Sequence, residues 1–217
     1  MKNNHEYTKI LEIYTSIKEE IIKRLNDFKR LYDSSDDFEI FCELVFCILT
    51  PQSSAVVCGD AVNRLIQNGL IKNGDKQSLS NAIHPVRFKN NKAGYIIEAR
   101  NKFTGDNSVK IKSLIDSFKS NFLAREWLVK NIKGIAYKEA SHFLRNIGKG
   151  ENLAILDRHI LKNLMLLKVI KEIPKTINQK TYMEIEKKFL DFSGSCGIDI
   201  LHLDFIFWYK EAGKIFK

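Results

Sequence analysis

Apolar side chains recur at intervals of three and four along almost the whole chain, and nowhere does a period of two persist long enough to require a strand. Over 217 residues there are only 11 glycines and 3 prolines, too few turn-formers for a many-stranded sandwich or barrel. The fold class expected is therefore all-α. Ile10, Ile13, Ile17, Ile21, Leu25 and Phe28 form one stripe and mark a first helix. A second follows Asp36, an N-cap with Glu39 three residues on, and runs through Phe38, Phe41, Val45, Ile48 and Leu49 to Pro51. A third carries Val56, Val62, Leu65 and Ile66 and stops at Gly69. Further helices fit 75–83, 91–103, 108–120, 124–131, 137–147, 157–168, 179–192 and 197–212.

Composition narrows the partner. Lys and Arg number 35 against 26 Asp and Glu, a formal net charge of +9, which suits a polyanion such as nucleic acid or an anionic membrane surface. The charge is uneven: residues 31–63 hold six carboxylates and no Lys or Arg, whereas basic residues dominate from Arg87 to Lys133. No apolar run approaches the roughly 20 residues of a membrane span, and the first residues lead into an amphipathic stretch instead of a signal peptide's apolar core. A cytoplasmic protein is expected. The four cysteines, Cys42, Cys47, Cys58 and Cys196, show neither CxxC pairing nor the tight run of an iron–sulfur loop, so they read as buried, reduced thiols.

The most informative stretch runs from Leu128 to Leu144. A helix ends, the chain turns through Gly134, and a new helix begins near Tyr137, with Lys138 in its first turn. Small residues at Gly134 and Ala136 permit close backbone approach. The turn amides and the helix N-terminus suit a phosphate. This stretch resembles the helix-hairpin-helix element of DNA-binding proteins, whose pattern is hydrophobic-x-Gly-hydrophobic-Gly-x-Lys. Ala136 departs from it, standing where a second glycine is usual. Nineteen residues after Lys138, the apolar run Leu153-Ala154-Ile155-Leu156 delivers Asp157 to a helix N-cap, followed by Arg158 and His159.

Hairpin lysine and Asp-x-His aspartate together resemble the active pair of the helix-hairpin-helix DNA glycosylase superfamily. The stretch Ile48-Leu49-Thr50-Pro51-Gln52-Ser53-Ser54-Ala55 is similar to its helix-to-loop segment, and Arg87-Phe88-Lys89-Asn90-Asn91-Lys92-Ala93 to its Phe/Tyr-x-x-Lys-Ala helix start. Residues 133–146 and 155–161 resemble the archaeal-type 8-oxoguanine DNA glycosylase/AP lyase branch, which is compact, lacks an iron–sulfur cluster and ends close to a lysine, here Lys217.

The resemblance implies two helical lobes flanking a DNA-binding cleft within a single unit, 1–217. One lobe, about 36–140, would carry the hairpin, and a discontinuous one would combine about 1–35 with 150–217. It implies a monomer acting on duplex DNA containing 8-oxoguanine or abasic sites, with no cofactor and no membrane partner. Lys138 would attack C1′ of the flipped nucleotide. Asp157 would activate that amine and stabilise the cationic sugar, and the resulting imine would permit β-elimination of the 3′-phosphate. Gln52 would fill the vacated stack, while Gly134, Ala136, Arg87 and Lys92 would contact DNA. Phe88 and Trp208 would sandwich the base, and Lys217 would separate 8-oxoguanine from guanine. No metal is required by this chemistry, although the carbonyls of Lys130, Ile132 and Ile135 correspond to a monovalent-cation position in the superfamily.

Taken singly, the same residues admit plainer readings: a helical hairpin with a solvated lysine, a capping aspartate, core aromatics and a frayed C-terminus. Two other functions share the pattern, a glycosylase/lyase for another oxidised base and a non-catalytic DNA-binding module in which Lys138 only contacts phosphate.

Overall fold

A computed structural model describes residues 5–103 and 110–215, and among them all regular structure is helical. In chain order the helices are α1 (His5–Ser34), α2 (Asp37–Leu49), α3 (Ala55–Gln67), α4 (Leu70–Asn73), α5 (Lys76–Ala82) and α6 (Lys89–Phe103). They continue as α7 (Ile111–Asp116), α8 (Asn121–Asn131), α9 (Tyr137–Asn146), α10 (Arg158–Leu166), α11 (Gln179–Cys196) and α12 (Ile200–Ala212).

Local chemistry sets most of these ends. Asp36 accepts from the Glu39 amide at 2.9 Å while Glu39 accepts from the Asp36 amide at 3.3 Å, so the expected capping box starts α2. Gly197, at φ +70°, terminates α11. Two expectations change. The single helix expected over 108–120 is shorter: α7 ends at Asp116, and Ser120 is extended and caps α8 by accepting from the Leu123 amide at 3.3 Å. Its expected start, at 108, lies outside the described residues. The short α4 follows Gly69, whose φ of +65° redirects the chain instead of simply ending α3.

The buried apolar side chains form two cores. The first gathers α2 to α9 and the start of the following segment, with α2 buried almost all round from Ile40 to Leu49. The second joins α1 to α10, α11 and α12: Ile10, Ile17, Ile21 and Phe28 pack with residues of the C-terminal helices, and the Phe28 and Phe205 rings stack at 6.4 Å. Among the described residues, α1 and α10 to α12 thus share one core and α2 to α9 the other. Ile10 and Ile21 are fully buried, each worth roughly 1.5–3 kcal/mol, so α1 is held by packing along its length. Its last turn crosses to the first core, where the Tyr32 hydroxyl donates to Asp116 at 2.8 Å.

Cys42, Cys47 and Cys58 are buried thiols and Cys196 is partly buried, and none of the four is in a disulfide.

Candidate active site

The turn between α8 and α9 is closed by its own backbone. The Ile132 amide donates to the Leu128 carbonyl at 2.9 Å and the Ile135 amide to the Ile132 carbonyl at 3.3 Å. Gly134 has φ +84°, and a Cβ there would lie 2.5 Å from the Tyr95 ring, so both conformation and space demand glycine. Ala136 has φ −106° and ψ −176°, extended backbone open to any residue. Its departure from the two-glycine pattern therefore costs the turn nothing. In the first turn of α9, Glu139 accepts from the Ala136 amide at 3.3 Å through Oε2, satisfying one of the helix's exposed donors.

On the other lobe, residues 153–156 run buried into α10. The Ala154 amide donates to Glu186 at 2.7 Å, and the Ala154 carbonyl accepts from the Tyr182 hydroxyl at 2.6 Å. Held there, Asp157 caps α10: Oδ1 accepts from the His159 and Ile160 amides at 2.8 and 2.9 Å, and Oδ2 takes no part in the cap. A cleft of about 790 Å³ separates the lobes, lined by Gln52, Arg87, Ala136 and Lys138 on one side and by Asp157, His159, Trp208 and Lys214 on the other. Lys138 and Asp157 therefore share one cleft, as the family resemblance implied, though they form no ion pair with each other. The Lys138 ammonium lies 3.3 Å from Glu139 Oε1, with a quarter of its side chain exposed.

The remaining expected residues divide. Gln52 lines the cleft at φ +56°, and Phe88 has φ +59°; bulky side chains seldom adopt this left-handed backbone, and where they do it is held by surroundings. The holding group is Lys92. Expected at the DNA, it is instead 3% exposed, donating to the Leu49 and Pro51 carbonyls at 2.7 Å each, with Ser53 Oγ at 3.5 Å. Burial lowers its pKa. Its place on the face shared with Ile96, Ala99 and Phe103 explains why: it sits four residues before a buried stripe. Ser53 also accepts from the Arg87 amide at 3.1 Å, so the Gln52 loop and the Phe88 turn are joined. Phe88 itself is 54% exposed beside Arg87 and lies outside the cleft lining. Trp208 lines the cleft and packs on His159, ring centroids 5.4 Å apart. Lys217 and Phe216 lie outside the described residues, while Ile215 packs against the second core. Of the three carbonyls named for a cation, that of Ile132 accepts the turn's own N–H.

Two buried ion pairs across the lobes escaped the sequence reading. Arg125, counted there with the basic zone, is fully buried and meets Glu186 through two bonds of 2.6 and 2.8 Å. Arg145 meets Asp204 at 2.6 Å on the cleft floor. Burial pushes the Asp204 carboxyl up to about 6, with Asp157 adding to the rise and Arg145 and Lys138 opposing it. Asp204 Oδ1 is buried without a hydrogen-bond partner.

The chain matches the family model described as 8-oxoguanine DNA glycosylase over residues 21–198. It is 46% identical to the 8-oxoguanine DNA glycosylase/AP lyase of Fusobacterium nucleatum over 217 residues, all of both chains. To the enzyme of that description from Methanocaldococcus jannaschii it is 41% identical over 213 residues, 96% of this chain and 98% of the relative. Among solved structures, the Methanocaldococcus jannaschii 8-oxoguanine glycosylase/lyase in complex with a 15mer DNA containing 8-oxoguanine superposes with TM-score 0.87 at 37% identity, covering 97% of this chain and 98% of that one. The 8-oxoguanine DNA glycosylase of Thermotoga maritima gives TM-score 0.85 at 32% identity over 98% of this chain and 100% of that one. With a lysine-bearing hairpin facing a capping aspartate across the cleft, and these relatives matched over nearly their full length, the chain belongs to the 8-oxoguanine DNA glycosylase family of helix-hairpin-helix proteins.

Proposed function

We infer that this protein is a base-excision-repair DNA glycosylase and AP lyase that removes 8-oxoguanine from duplex DNA. The observation that supports the reading best is that one cleft, set between two helical lobes, is lined by both Lys138 and Asp157. Reaching C1′ requires flipping the nucleotide out of the stack, at a cost of a few kcal/mol that backbone contacts offset. Gln52, raised on its left-handed backbone at the cleft edge, takes the vacated position, and Arg87 and the hairpin turn at Gly134 and Ala136 face the phosphates.

Lys138 Nζ attacks C1′ as the base leaves. The Asp157 carboxylate, fixed by two backbone amides, opposes the positive charge that develops on the sugar. The imine so formed acidifies the C2′ proton, and β-elimination then cuts the strand on the 3′ side. Trp208 stacks on the extruded base. Lys217 is assigned the separation of 8-oxoguanine, which carries an N7–H, from guanine, which lacks it. The lobes divide the work at about 36–140 and about 1–35 plus 150–217, and the enzyme acts as a monomer in the cytoplasm, on chromosomal DNA. No described helix is long and apolar enough to cross a membrane.

Borohydride trapping on duplexes carrying 8-oxoguanine tests the reading. Lys138→Gln should abolish the trapped complex and strand nicking while leaving DNA binding largely intact. A trapped complex that survives this substitution makes another amine the nucleophile. Preferential release of an oxidised pyrimidine moves the enzyme to another lesion. Deletion of Lys217 alone should reduce 8-oxoguanine excision and spare cleavage at an abasic site; equal activity on both substrates removes the tail from the recognition site.

A further inference from the structure

An amine that attacks C1′ must first lose a proton, and the cleft contains several carboxylates that might be thought to take it. Asp157 commits Oδ1 to two amides, and Asp204 is paired with Arg145. Glu43, on α2 and outside the cleft lining, accepts from the Asn146 side chain at 3.3 Å. Among the described residues, the carboxylate within 4.0 Å of Lys138 Nζ is that of Glu139, at 3.3 Å. Glu139 lines the cleft, is only 8% exposed, and is anchored by its other oxygen to the Ala136 amide. A single side chain thus holds the start of α9 with one oxygen and the candidate nucleophile with the other.

We propose that Glu139 is the base that takes the proton from Lys138, a role that deepens the function inferred above and rests on it. Adjacent positions on a helix do not ordinarily face each other, so the contact reflects the anchoring of Glu139 at the first turn. Before DNA binds, the two groups form a partly hydrated ion pair. When the duplex covers the cleft, water is removed and two separate charges become costly to keep. Moving one proton from Nζ to Oε1 leaves a neutral amine beside a carboxylic acid and removes that cost.

The atoms balance within the site. Nζ passes a proton to Oε1, then its lone pair forms the bond to C1′ while the C1′–N9 bond breaks and its electron pair leaves with the base. Glu139 returns that proton to the departing base. The attacking nitrogen is now cationic; it gives its next proton to the regenerated carboxylate, which hands it to O4′ as the sugar ring opens to the imine. Neither an oxidant nor a metal enters the sequence. Asp157 keeps the separate task of facing the sugar's positive charge.

The test is Glu139→Gln in the full-length protein, assayed by single-turnover excision and borohydride trapping on an 8-oxoguanine duplex, beside Lys138→Gln. The amide oxygen can still accept from Ala136, so the turn is kept while the base is lost. Thermal unfolding should be nearly unchanged and both rates should fall by about a hundredfold, in the range of a general base removed. Excision and trapping at wild-type rates or faster would overturn the proposal, because Glu139 would then only be holding the lysine in its charged form. If Glu139→Gln loses the fold, Glu139→Asp, which withdraws the carboxylate by one methylene, is read in the same way. Persistence of trapping in Lys138→Gln is a different failure: it removes the nucleophile assignment and, with it, the partner that Glu139 serves.

Discussion

The two buried arginine–carboxylate pairs both join the lobes, yet they are built differently. At Arg125–Glu186, each carboxylate oxygen takes a guanidinium bond, Oε1 also takes the Ala154 amide, and Ser141 Oγ lies 3.2 Å from the arginine. Burial pulls the Arg125 pKa down, but the bonds to Glu186 more than offset it and the net shift is upward. At Arg145–Asp204 one bond of 2.6 Å is made, and the second carboxylate oxygen has no hydrogen-bond partner. There burial prevails on both partners: it lowers the Arg145 pKa and raises that of Asp204. The first pair is a seam whose carboxylate is fully bonded and whose unpartnered atom is the buried donor Arg125 Nε; the second lines the cleft with Lys138 and Asp157 and retains an acceptor, Asp204 Oδ1. Two pairs of similar chemistry and burial thus differ in which partner is left short, a donor in the seam and an acceptor on the cleft floor, and that difference separates architecture from a reactive floor.

The largest expected effect is at the seam. Glu186→Gln leaves Arg125 charged and buried without a counter-charge, and should cost about 3–5 kcal/mol in denaturant unfolding. A loss comparable to that of a surface substitution would mean the seam is not what joins the lobes.

Next comes pH. The folded state holds the Asp204 proton up to about 6, whereas the unfolded chain releases it near 3.8. The contribution is therefore fully present at low pH and is lost as pH rises through that window, by an amount on the order of 3 kcal/mol. Asp116, Glu6 and Glu211, whose pKa values are lowered, slope the opposite way at lower pH. Subtracting the unfolding curve of Asp204→Asn from that of the wild type isolates the falling component; a flat difference between pH 4 and 6 would erase the electrostatic contrast between the pairs.

A third measurement asks which pair touches the chemistry. Asp204→Asn should slow single-turnover excision by about tenfold, or 1.4 kcal/mol of barrier, with duplex binding retained. Glu186→Gln, assayed at a temperature where it remains folded, should excise at close to the wild-type rate. The smallest effect belongs to an exposed pair. Lys133 and Glu98 meet at 3.1 Å with more than half of each side chain in solvent, so Lys133→Ala should change stability by no more than about 0.5 kcal/mol.

What was legible in the sequence was local. The capping box at Asp36 and Glu39 and the N-cap at Asp157 each depend on residues within one helical turn, and each is found in place. The shared cleft was legible because the hairpin and the Asp-x-His segment each have local signatures. The lysines and arginines were misread where their partners are remote. Lys92 reaches carbonyls more than 40 positions back, and Arg125 meets a glutamate 61 residues on. A signal was present all the same, since Arg125 shares a face with Leu128 and Lys92 with Ile96, but it lay in apolar spacing, whereas Arg125 was counted by its charge and Lys92 by its motif. Glu139 was passed over because nothing in its neighbours indicates that it would turn one oxygen to the backbone and the other to Lys138.

The anchoring of Lys92 bears on how the enzyme searches. Its ammonium grips the end of α2 and the start of the next loop, and Ser53 ties that loop to the turn before α6. A probe mounted so stiffly has little compliance of its own. During each encounter the yielding component must be the duplex, so inspection is in effect a mechanical assay of how readily a base pair gives way. Under the role proposed for Gln52, sites that unstack cheaply would linger against it, and sound, well-stacked pairs would be passed over before any atom of the base is read.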